Sequence, residues 1–341
     1  MVERHGAAWQ ASSRTSRRSR RRTRNNRWAS PRLNLHARTD PDLLQRVSGV
    51  LVVDKPVGLT SHDVVQIIRR GTGIRRSGHT GTLDPRASGV LVVLIGPAVR
   101  LSEWLSASDK RYMATLRLGV ETDTYDADGR VVATRPCPEL SEAEIEAALQ
   151  PFVGEIEQVP PPYSAIRVRG KRAYQLAREG KPVDLKPRKV RIYELNLLEW
   201  VPPELVLDIH ASAGTYIRSL AHDLGQRLGC GAHLTALRRT QSGSFTLRDA
   251  VPLRRLQEAF TTGEWHKYLI PAVDALPNWP LLELPPDLVD KVRHGHPVPA
   301  PRAFDPEQLI RVVTEQGDLL AIMQYDPKEG MLRPRKVLMA V

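Results

Sequence analysis

Hydrophobic and polar residues follow two different periods along the chain, which predicts a mixture of strands and helices. The stretch GVLVVDKPVG (49–58) is a continuous apolar run and predicts a short buried strand that ends at Lys55 and the following proline. The stretch SHDVVQIIRR (61–70) spaces its apolar residues as an amphipathic helix does, with Ser61 as the predicted N-cap. A second buried strand is predicted over 89–95.

The middle of the chain continues the same mixture. Ser141 and Glu144 have the spacing of a capping box, which marks the start of a helix. The predicted elements are, in order, a strand over 109–119, a helix over 141–152, a strand, a basic turn and a helix within 159–180, an antiparallel strand pair at 188–200 and 204–212, and a helix over 214–229 that closes on glycines. Because strands and helices do not alternate strictly, the pattern favours the α+β class.

Changes in composition divide the chain into four parts. The proline-rich stretch LPNWPLLELPP (276–286) predicts a linker. Residues 287–341 hold short β-like runs with turn signals between them and predict a small β-barrel or sandwich. We therefore expect a tail over 1–46, a main domain over 47–275, the linker, and a small C-terminal β domain.

The tail is rich in arginine and serine and has no apolar period, so we expect it to be disordered. Three interpretations stay open: a nucleic-acid-binding arm, a transit peptide within 1–40, or a segment that is not translated because the true start lies near Val47. A solvated, non-essential role is the default expectation.

Charge indicates a polyanionic partner, with one correction. The formal net charge is +12, but residues 1–46 hold twelve arginines and three acidic residues and so supply nine of those charges. The remaining chain is nearly balanced, and any basic face on it must come from uneven distribution. The basic stretches RVRGKRAY (167–174) and ALRRTQ (236–241) would suit contact with RNA phosphates or would be ordinary solvated faces.

Two cysteines, Cys137 and Cys230, exclude a disulfide framework and a four-cysteine zinc site. No apolar run approaches the roughly 20 residues of a membrane span, and the N-terminus lacks the apolar part of a signal peptide. We therefore expect a cytoplasmic protein without a membrane partner.

Several motifs that would indicate a cofactor are incomplete. GTGIRR (71–76) lacks the third glycine of a dinucleotide loop, and DTYDADG (123–129) lacks the spacing and the final glutamate of a calcium loop. CGAH (230–233) has too few metal ligands, and HGH (294–296) reads as a surface turn. The sequence thus indicates neither a metal nor a nucleotide cofactor.

The loop RRSGHTGTLDPRASG (75–89) carries the best candidate chemistry. Asp84 precedes Pro85, which restricts the backbone on both sides and gives the carboxylate a defined direction. Gly78 and Gly81 would let a ligand approach the backbone, and His79 lies close by. Taken alone, these residues also suit an ordinary turn, so the functional and the structural interpretation both stay open here.

Four sequence blocks in the right order resemble the TruB family of tRNA pseudouridine-55 synthases. They are GVLVVDKPVGLTSHDVV with the Asp84 loop, SDKRYMATLRLGVETDTYDADG, VPPPYSAIRVRGKRAYQLAREG, and GTYIRSLAHDLGQRLGCGAHLTALRRTQSGSF, and they cover about 49–246. The C-terminal segment is similar to the small RNA-binding PUA-type domain, although its motifs are weak. The resemblance implies a mixed, mainly antiparallel sheet flanked by helices, followed by a PUA-like β domain.

The resemblance also implies the catalytic residues. Asp84 would be the catalytic carboxylate. Tyr112 would stack on the target uracil and take the proton from its C5 atom. Arg218 would pair with Asp84 and hold it ionised. The chain departs from the family pattern little: Arg86 and Ser88 occupy positions that vary in the family.

Four further residues would form the substrate site by the same resemblance. His79 would hold the flipped nucleotide, Tyr216 and Leu237 would line the uracil pocket, and Lys55 would pack near it. The partner would be the T-arm of tRNA, the product pseudouridine at position 55, and the enzyme a monomer without a metal or other cofactor.

The implied reaction fits the residues present. Conversion of uridine to pseudouridine exchanges an N1–C1′ bond for a C5–C1′ bond, is redox-neutral, and activates no water, so one carboxylate is enough. Flipping the base costs a few kcal/mol, and stacking on an aromatic ring returns about 1–3 kcal/mol. Two alternatives stay open: a non-catalytic RNA-binding or remodelling protein, and a guide-RNA-dependent synthase on the same scaffold.

Overall fold

The computed structural model of the chain describes residues 47–164, 166–168, 171–179 and 184–339. The arginine-rich tail over 1–46 lies outside the described residues, and so does part of the basic stretch 167–174. Within the described ranges, no helix is long and apolar enough to cross a membrane.

The described residues form twenty strands and seven α-helices. The strands are β1 (Gly49–Lys55), β2 (Ser77–His79), β3 (Ala87–Ile95), β4 (Lys110–Leu118), β5 (Val120–Thr122), β6 (Val131–Thr134), β7 (Gly154–Gln158), β8 (Arg167–Val168), β9 (Lys171–Arg172), β10 (Arg188–Val201), β11 (Glu204–Ala211), β12 (Ala232–Ser242), β13 (Phe245–Thr246), β14 (Val251–Pro252), β15 (Ile270–Pro271), β16 (Leu281–Glu283), β17 (Val298–Pro299), β18 (Leu309–Val313), β19 (Leu319–Asp326) and β20 (Met331–Val337). The α-helices are α1 (Ser61–Thr72), α2 (Ser102–Ala107), α3 (Glu142–Leu149), α4 (Ala173–Arg178), α5 (Ile217–Arg227), α6 (Leu253–Thr262) and α7 (Pro286–Arg293).

One large sheet organises the main part of the chain. Its strand order is β14-β1-β3-β12-β4-β11-β10-β7, with β2, β13 and β15 attached beside this path. Most neighbours are antiparallel, including the predicted pair β10 and β11, whereas β1–β14 and β3–β12 are parallel. The predicted α+β class with a mainly antiparallel sheet is therefore confirmed.

Helices cover the sheet because each has one apolar face. Helices α1 and α6 bury residues such as Ile68 and Leu256 against Leu51 of β1. Helices α3 and α5 bury residues such as Ile145 and Leu220 against the β4, β10, β11 and β12 side of the sheet. This burial of apolar surface is the main force that holds helices and sheet together.

The predicted helix boundaries are partly correct. The capping box of Ser141 and Glu144 is present, although the α-helix it begins ends at Leu149. The prediction that Ser61 caps α1 was wrong, because Thr60 is the N-cap and forms a capping box with Asp63. Ser61 is instead buried, and its hydroxyl both donates to the carbonyl oxygen of Leu83 (3.0 Å) and accepts from the Leu83 amide (2.8 Å).

The C-terminal strands form a separate five-stranded sheet with the order β16-β18-β19-β20-β17. The segment predicted as a linker contains β16, which pairs in parallel with β18. Arg311 of β18 is buried and donates to the carbonyl oxygens of Val273, Pro277 and Trp279.

The two sheets share a hydrophobic core. Val50 of β1 and Leu94 of β3 belong to the same buried cluster as Val313 and Ile322 of the C-terminal sheet. The second face of β1 and β3 is therefore part of a buried cluster to which the C-terminal strands contribute.

Candidate active site

The loop that carries Asp84 is fixed on both sides of this residue. Leu83 is bound through its amide and carbonyl groups to the Ser61 hydroxyl. The Pro85 carbonyl oxygen accepts from the Gly58 amide at 2.8 Å and from the Lys55 ammonium at 3.4 Å. The Asp84 side chain itself is 42% exposed, so a rigid loop presents an accessible carboxylate.

Arg218 lies in the first turn of α5 and reaches this carboxylate. Its Nε atom is 3.0 Å from Oδ2 of Asp84, and only 8% of its side chain is exposed. The guanidinium also donates to the carbonyl oxygens of Thr124 (3.3 Å) and Tyr163 (3.1 Å). The structure thus brings together the acid and the arginine that the family resemblance paired.

A second acid, Asp126, completes this arrangement. Its Oδ2 atom lies 3.5 Å from Nη1 of Arg218, so the guanidinium spans two carboxylates. Tyr125 before it adopts a positive φ of 64°, and backbone hydrogen bonds with Leu234 of β12 hold the turn in place. In the sequence this segment, DTYDADG (123–129), stood out only as an incomplete calcium-loop motif. No spacing signal connected Asp126 with Arg218, because they meet only in the folded chain.

A cleft opens beside these charges. It is lined by Asp84, Arg86, Ala87, Asp126, Arg218, Leu234, Thr235, Ala236 and Leu237. Leu237, which the family resemblance assigned to a pocket, therefore lies in the same cleft as Asp84 and Arg218. The cleft is small, and it joins a wall of charged side chains to a wall that includes Leu234, Ala236 and Leu237.

Buried cations lie beneath the loop. Lys55 is fully buried, donates to the carbonyl oxygens of Leu59 (2.7 Å) and Pro56 (2.9 Å), and has its pKa lowered to about 8, chiefly by burial. The pKa of Lys110 on β4 is also lowered to about 8, by burial and by the charge of Arg239. Lys55 is close enough to Asp84 for the carboxylate to raise its pKa in part.

The remaining predicted residues surround the same loop. Tyr112 of β4 is 9% exposed; burial lowers the pKa of Arg239, and the nearby Tyr112 phenol offsets part of this lowering. The Nδ1 atom of His79 accepts from the Gly81 amide at 3.4 Å, and burial lowers the pKa of His79. The backbone of Tyr216 exchanges two hydrogen bonds with the Gln158 amide group, and burial raises the pKa of its phenol. The chemical roles of these residues stay predictions.

The described part of the chain contains no group of three or more His, Cys, Asp or Glu side chains placed to hold a metal ion. The histidine of the CGAH stretch, His233, bonds through Nδ1 to the Val120 carbonyl oxygen at 2.9 Å, and Cys230 is buried in the hydrophobic core.

Comparison with known families matches most of the main domain. The N-terminal domain of TruB family pseudouridylate synthases matches residues 69–217, and the C-terminal domain of tRNA pseudouridylate synthase B matches residues 218–276. These two matches contain Asp84, Tyr112, Arg218 and Leu237.

Individual proteins are similar over nearly their whole length. The tRNA pseudouridine synthase B of Moorella thermoacetica is 43% identical over 307 residues, which is 86% of this chain and 99% of the relative. That of Opitutus terrae is 47% identical over 234 residues, 69% of this chain and 97% of the relative. Among solved structures, a Cbf5-Nop10-Gar1 complex contains a chain that is 28% identical, with a TM-score of 0.67 and coverage of 89% of this chain and 88% of that one. A chain of an H/ACA RNP bound to a substrate RNA containing 2'-deoxyuridine has a TM-score of 0.66 at 27% identity, with coverage of 87% and 86%.

Proposed function

The chain belongs to the TruB family of pseudouridylate synthases, and from this membership we infer that it isomerises uridine in tRNA to pseudouridine. We propose further that the target is uridine 55 in the T-loop and that the enzyme acts on the T-arm as a cytoplasmic monomer. The observation that carries the proposal is the exposed Asp84 carboxylate held 3.0 Å from the buried Arg218 guanidinium at the edge of a cleft.

The reaction makes defined demands on the site. The N1–C1′ bond of the nucleotide breaks, the base turns, a C5–C1′ bond forms, and the C5 proton is exchanged for a proton on N1. The stacked base must leave the T-loop to reach the cleft, as in other enzymes that act on a base. A carboxylate can serve the sugar–base junction as nucleophile or base, provided that it is ionised and correctly aimed.

The residues around Asp84 supply these conditions. Arg218 forms an ion pair with the carboxylate and fixes its direction, because a guanidinium can bind several acceptors at once with a planar fork. Leu237 offers apolar contact to the base within the same cleft. Tyr112 would stack on the uracil and accept its C5 proton, and His79 would hold the flipped nucleotide.

Release of tritium from tRNA transcripts labelled at C5 of uridine tests the proposal. The protein alone should release tritium to water, and mapping should place the new pseudouridine at position 55. A transcript with cytidine at position 55 is the matched control and should yield no pseudouridine in the T-loop.

The Asp84→Asn variant should release no tritium and still bind the transcript, because the amide keeps the shape of the side chain and removes its charge. Activity equal to that of the parent would show that Asp84 is not the catalytic group. Activity that requires an added guide RNA would favour the guide-dependent alternative, and binding without any release would favour the non-catalytic one.

A further inference from the structure

Arg239 lies between the strand that follows the Asp84 loop and the strand that carries Tyr112. It belongs to β12, the strand between β3 and β4 in the large sheet. On one side it is in register with Gly89 of β3, which leads directly from the Asp84 loop, and on the other with Tyr112 of β4. One residue therefore separates the strand that follows the catalytic loop from the strand that carries the tyrosine.

The backbone packing at this junction is tight. Gly89 has a φ of +98°, and a Cβ atom placed there would lie 2.2 Å from the carbonyl oxygen of Arg239. Only glycine fits both this conformation and this distance. The close approach leaves β3 and β12 little freedom to shift relative to one another.

The side chain of Arg239 holds the loop itself. It is 2% exposed, and its Nε atom donates to the carbonyl oxygen of Val90 at 2.7 Å. Its terminal nitrogens donate to the carbonyl oxygens of Gly81 (3.1 Å) and Thr82 (3.4 Å), three and two residues before Asp84. The Tyr112 phenol lies close enough to interact with this guanidinium, in keeping with the register of the two residues across β12 and β4.

This placement is costly for a structural residue. No carboxylate of the described residues lies within 4.0 Å of the Arg239 nitrogens. The buried charge is therefore stabilised by backbone carbonyl groups and one phenol. A buried, uncompensated ion is expensive, and an apolar side chain of similar size is often at least as stable. This cost indicates that the Arg239 guanidinium has a role other than filling space in the core.

Arginine chemistry shows what it contributes. Guanidinium nitrogens only donate, so in the interaction with Arg239 the Tyr112 oxygen is the acceptor. The phenolic hydrogen is then directed away from the arginine. The rigid fork can hold the carbonyl groups of the loop and the phenol at a fixed separation, which a lysine with a single nitrogen cannot do.

We propose that Arg239 is a positioning residue that fixes the Asp84 loop against the Tyr112 hydroxyl, so that both groups address the same nucleotide. The inference rests on the proposed function, since it concerns two groups that act on one uridine. Arg239 itself does not touch the substrate, because its side chain is buried beneath the loop.

The Arg239→Lys variant tests this role, and Arg311→Lys is the matched control. Both arginines are buried and bind backbone carbonyl groups, but Arg311 lies in the C-terminal sheet. For Arg239→Lys we expect the single-turnover rate at saturating tRNA to fall about 100-fold, the loss typical of a small misplacement of reacting groups. The dissociation constant for tRNA should change less than about threefold, since contacts that bind the ground state and the transition state equally are not affected. The control should lose thermal stability and keep its rate.

A double-mutant cycle with Tyr112→Phe tests the connection between the two residues. Arg239→Lys should reduce the rate by a smaller factor in the Tyr112→Phe background than in the parent, because the same contact is already lost. Equal factors in both backgrounds, an unchanged rate in Arg239→Lys, or a loss of tRNA affinity alone would each overturn the inference.

Amide exchange gives a second measurement that does not require Arg239→Lys to fold. In the Tyr112→Phe variant the guanidinium loses one partner, so residues 80–87 should exchange faster than in the parent. Unchanged exchange there would show that the phenol does not support the loop and would overturn the inference. If the parent protein releases no tritium from tRNA, the proposed function fails, whereas these exchange results stand on their own.

Discussion

The Arg218→Lys variant should show whether the site depends on the geometry of the guanidinium or only on its positive charge. The guanidinium contacts Asp84 at 3.0 Å, Asp126 at 3.5 Å and the Tyr163 carbonyl oxygen at 3.1 Å. Lysine preserves the positive charge, but its three N–H groups leave from one nitrogen, so it cannot reach acceptors that are spread around the edge of a planar guanidinium. The variant therefore keeps one contact and loses the others.

The structure sets the size of the effect. Two unit charges 3.0 Å apart attract by about 1.4 kcal/mol in water and about 5 kcal/mol at an effective dielectric constant of 20. Because Asp84 is 42% exposed, we expect a value in the lower part of this range. Each carbonyl group left without its donor adds about 1 kcal/mol. The unfolding free energy should fall by about 2–4 kcal/mol, and the rate by at least about 100-fold because the carboxylate is no longer aimed.

Single-turnover tritium release with excess enzyme measures the rate, and urea denaturation measures the stability. Arg333→Lys is the matched control, because Arg333 also bridges two carboxylates, Asp326 and Glu329, on the surface of the C-terminal sheet. The control should keep its rate. If Arg218→Lys released tritium within about threefold of the parent rate, the reasoning that the fork orients Asp84 would be refuted.

Two further predictions concern charge. The folded-state pKa of Lys55 and Lys110 is about 8, against 10.5 for an exposed lysine, so the unfolded chain binds more protons between these values. The unfolding free energy should therefore rise with pH between about 8 and 10, on the order of 3 kcal/mol for each lysine over the full interval. Urea denaturation across this pH range should show a smaller rise of the unfolding free energy in Lys110→Met than in the parent. An identical rise would contradict the argument that burial lowers the pKa of Lys110. Removal of residues 1–46 should leave tritium release nearly intact and flatten the dependence of tRNA affinity on salt, since twelve arginines are lost; complete loss of activity would show that the tail belongs to the active enzyme.

Local patterns were sufficient to predict much of the fold. The alternation at 188–200 and 204–212 predicted an antiparallel pair, and β10 and β11 form it. The capping box at Ser141 was predicted correctly because it depends on residues three positions apart. The N-cap of α1 was misplaced by one residue, because Ser61 is a good capping residue that the fold uses to hold Leu83, 22 positions away.

The site was predictable only in part, because its residues come together from distant parts of the chain. The Asp84 loop showed its constraint in its own glycines and proline, but its pairing with Arg218 came from family resemblance and not from spacing. Asp126 was missed because nothing local distinguishes it from the other acids of its turn. Arg239 was noted only as part of a basic stretch, since its burial depends on β3, β4 and β12 meeting.

The apolar cluster shared by the two sheets makes the C-terminal strands a structural part of the enzyme. Val50 and Leu94 share a buried cluster with Val313 and Ile322, so a chain cut near residue 276 would lose part of this cluster and expose apolar surface. Heating should melt both sheets in a single transition, because residues of both sheets belong to one buried cluster. A shorter relative without such strands would need other side chains on that surface.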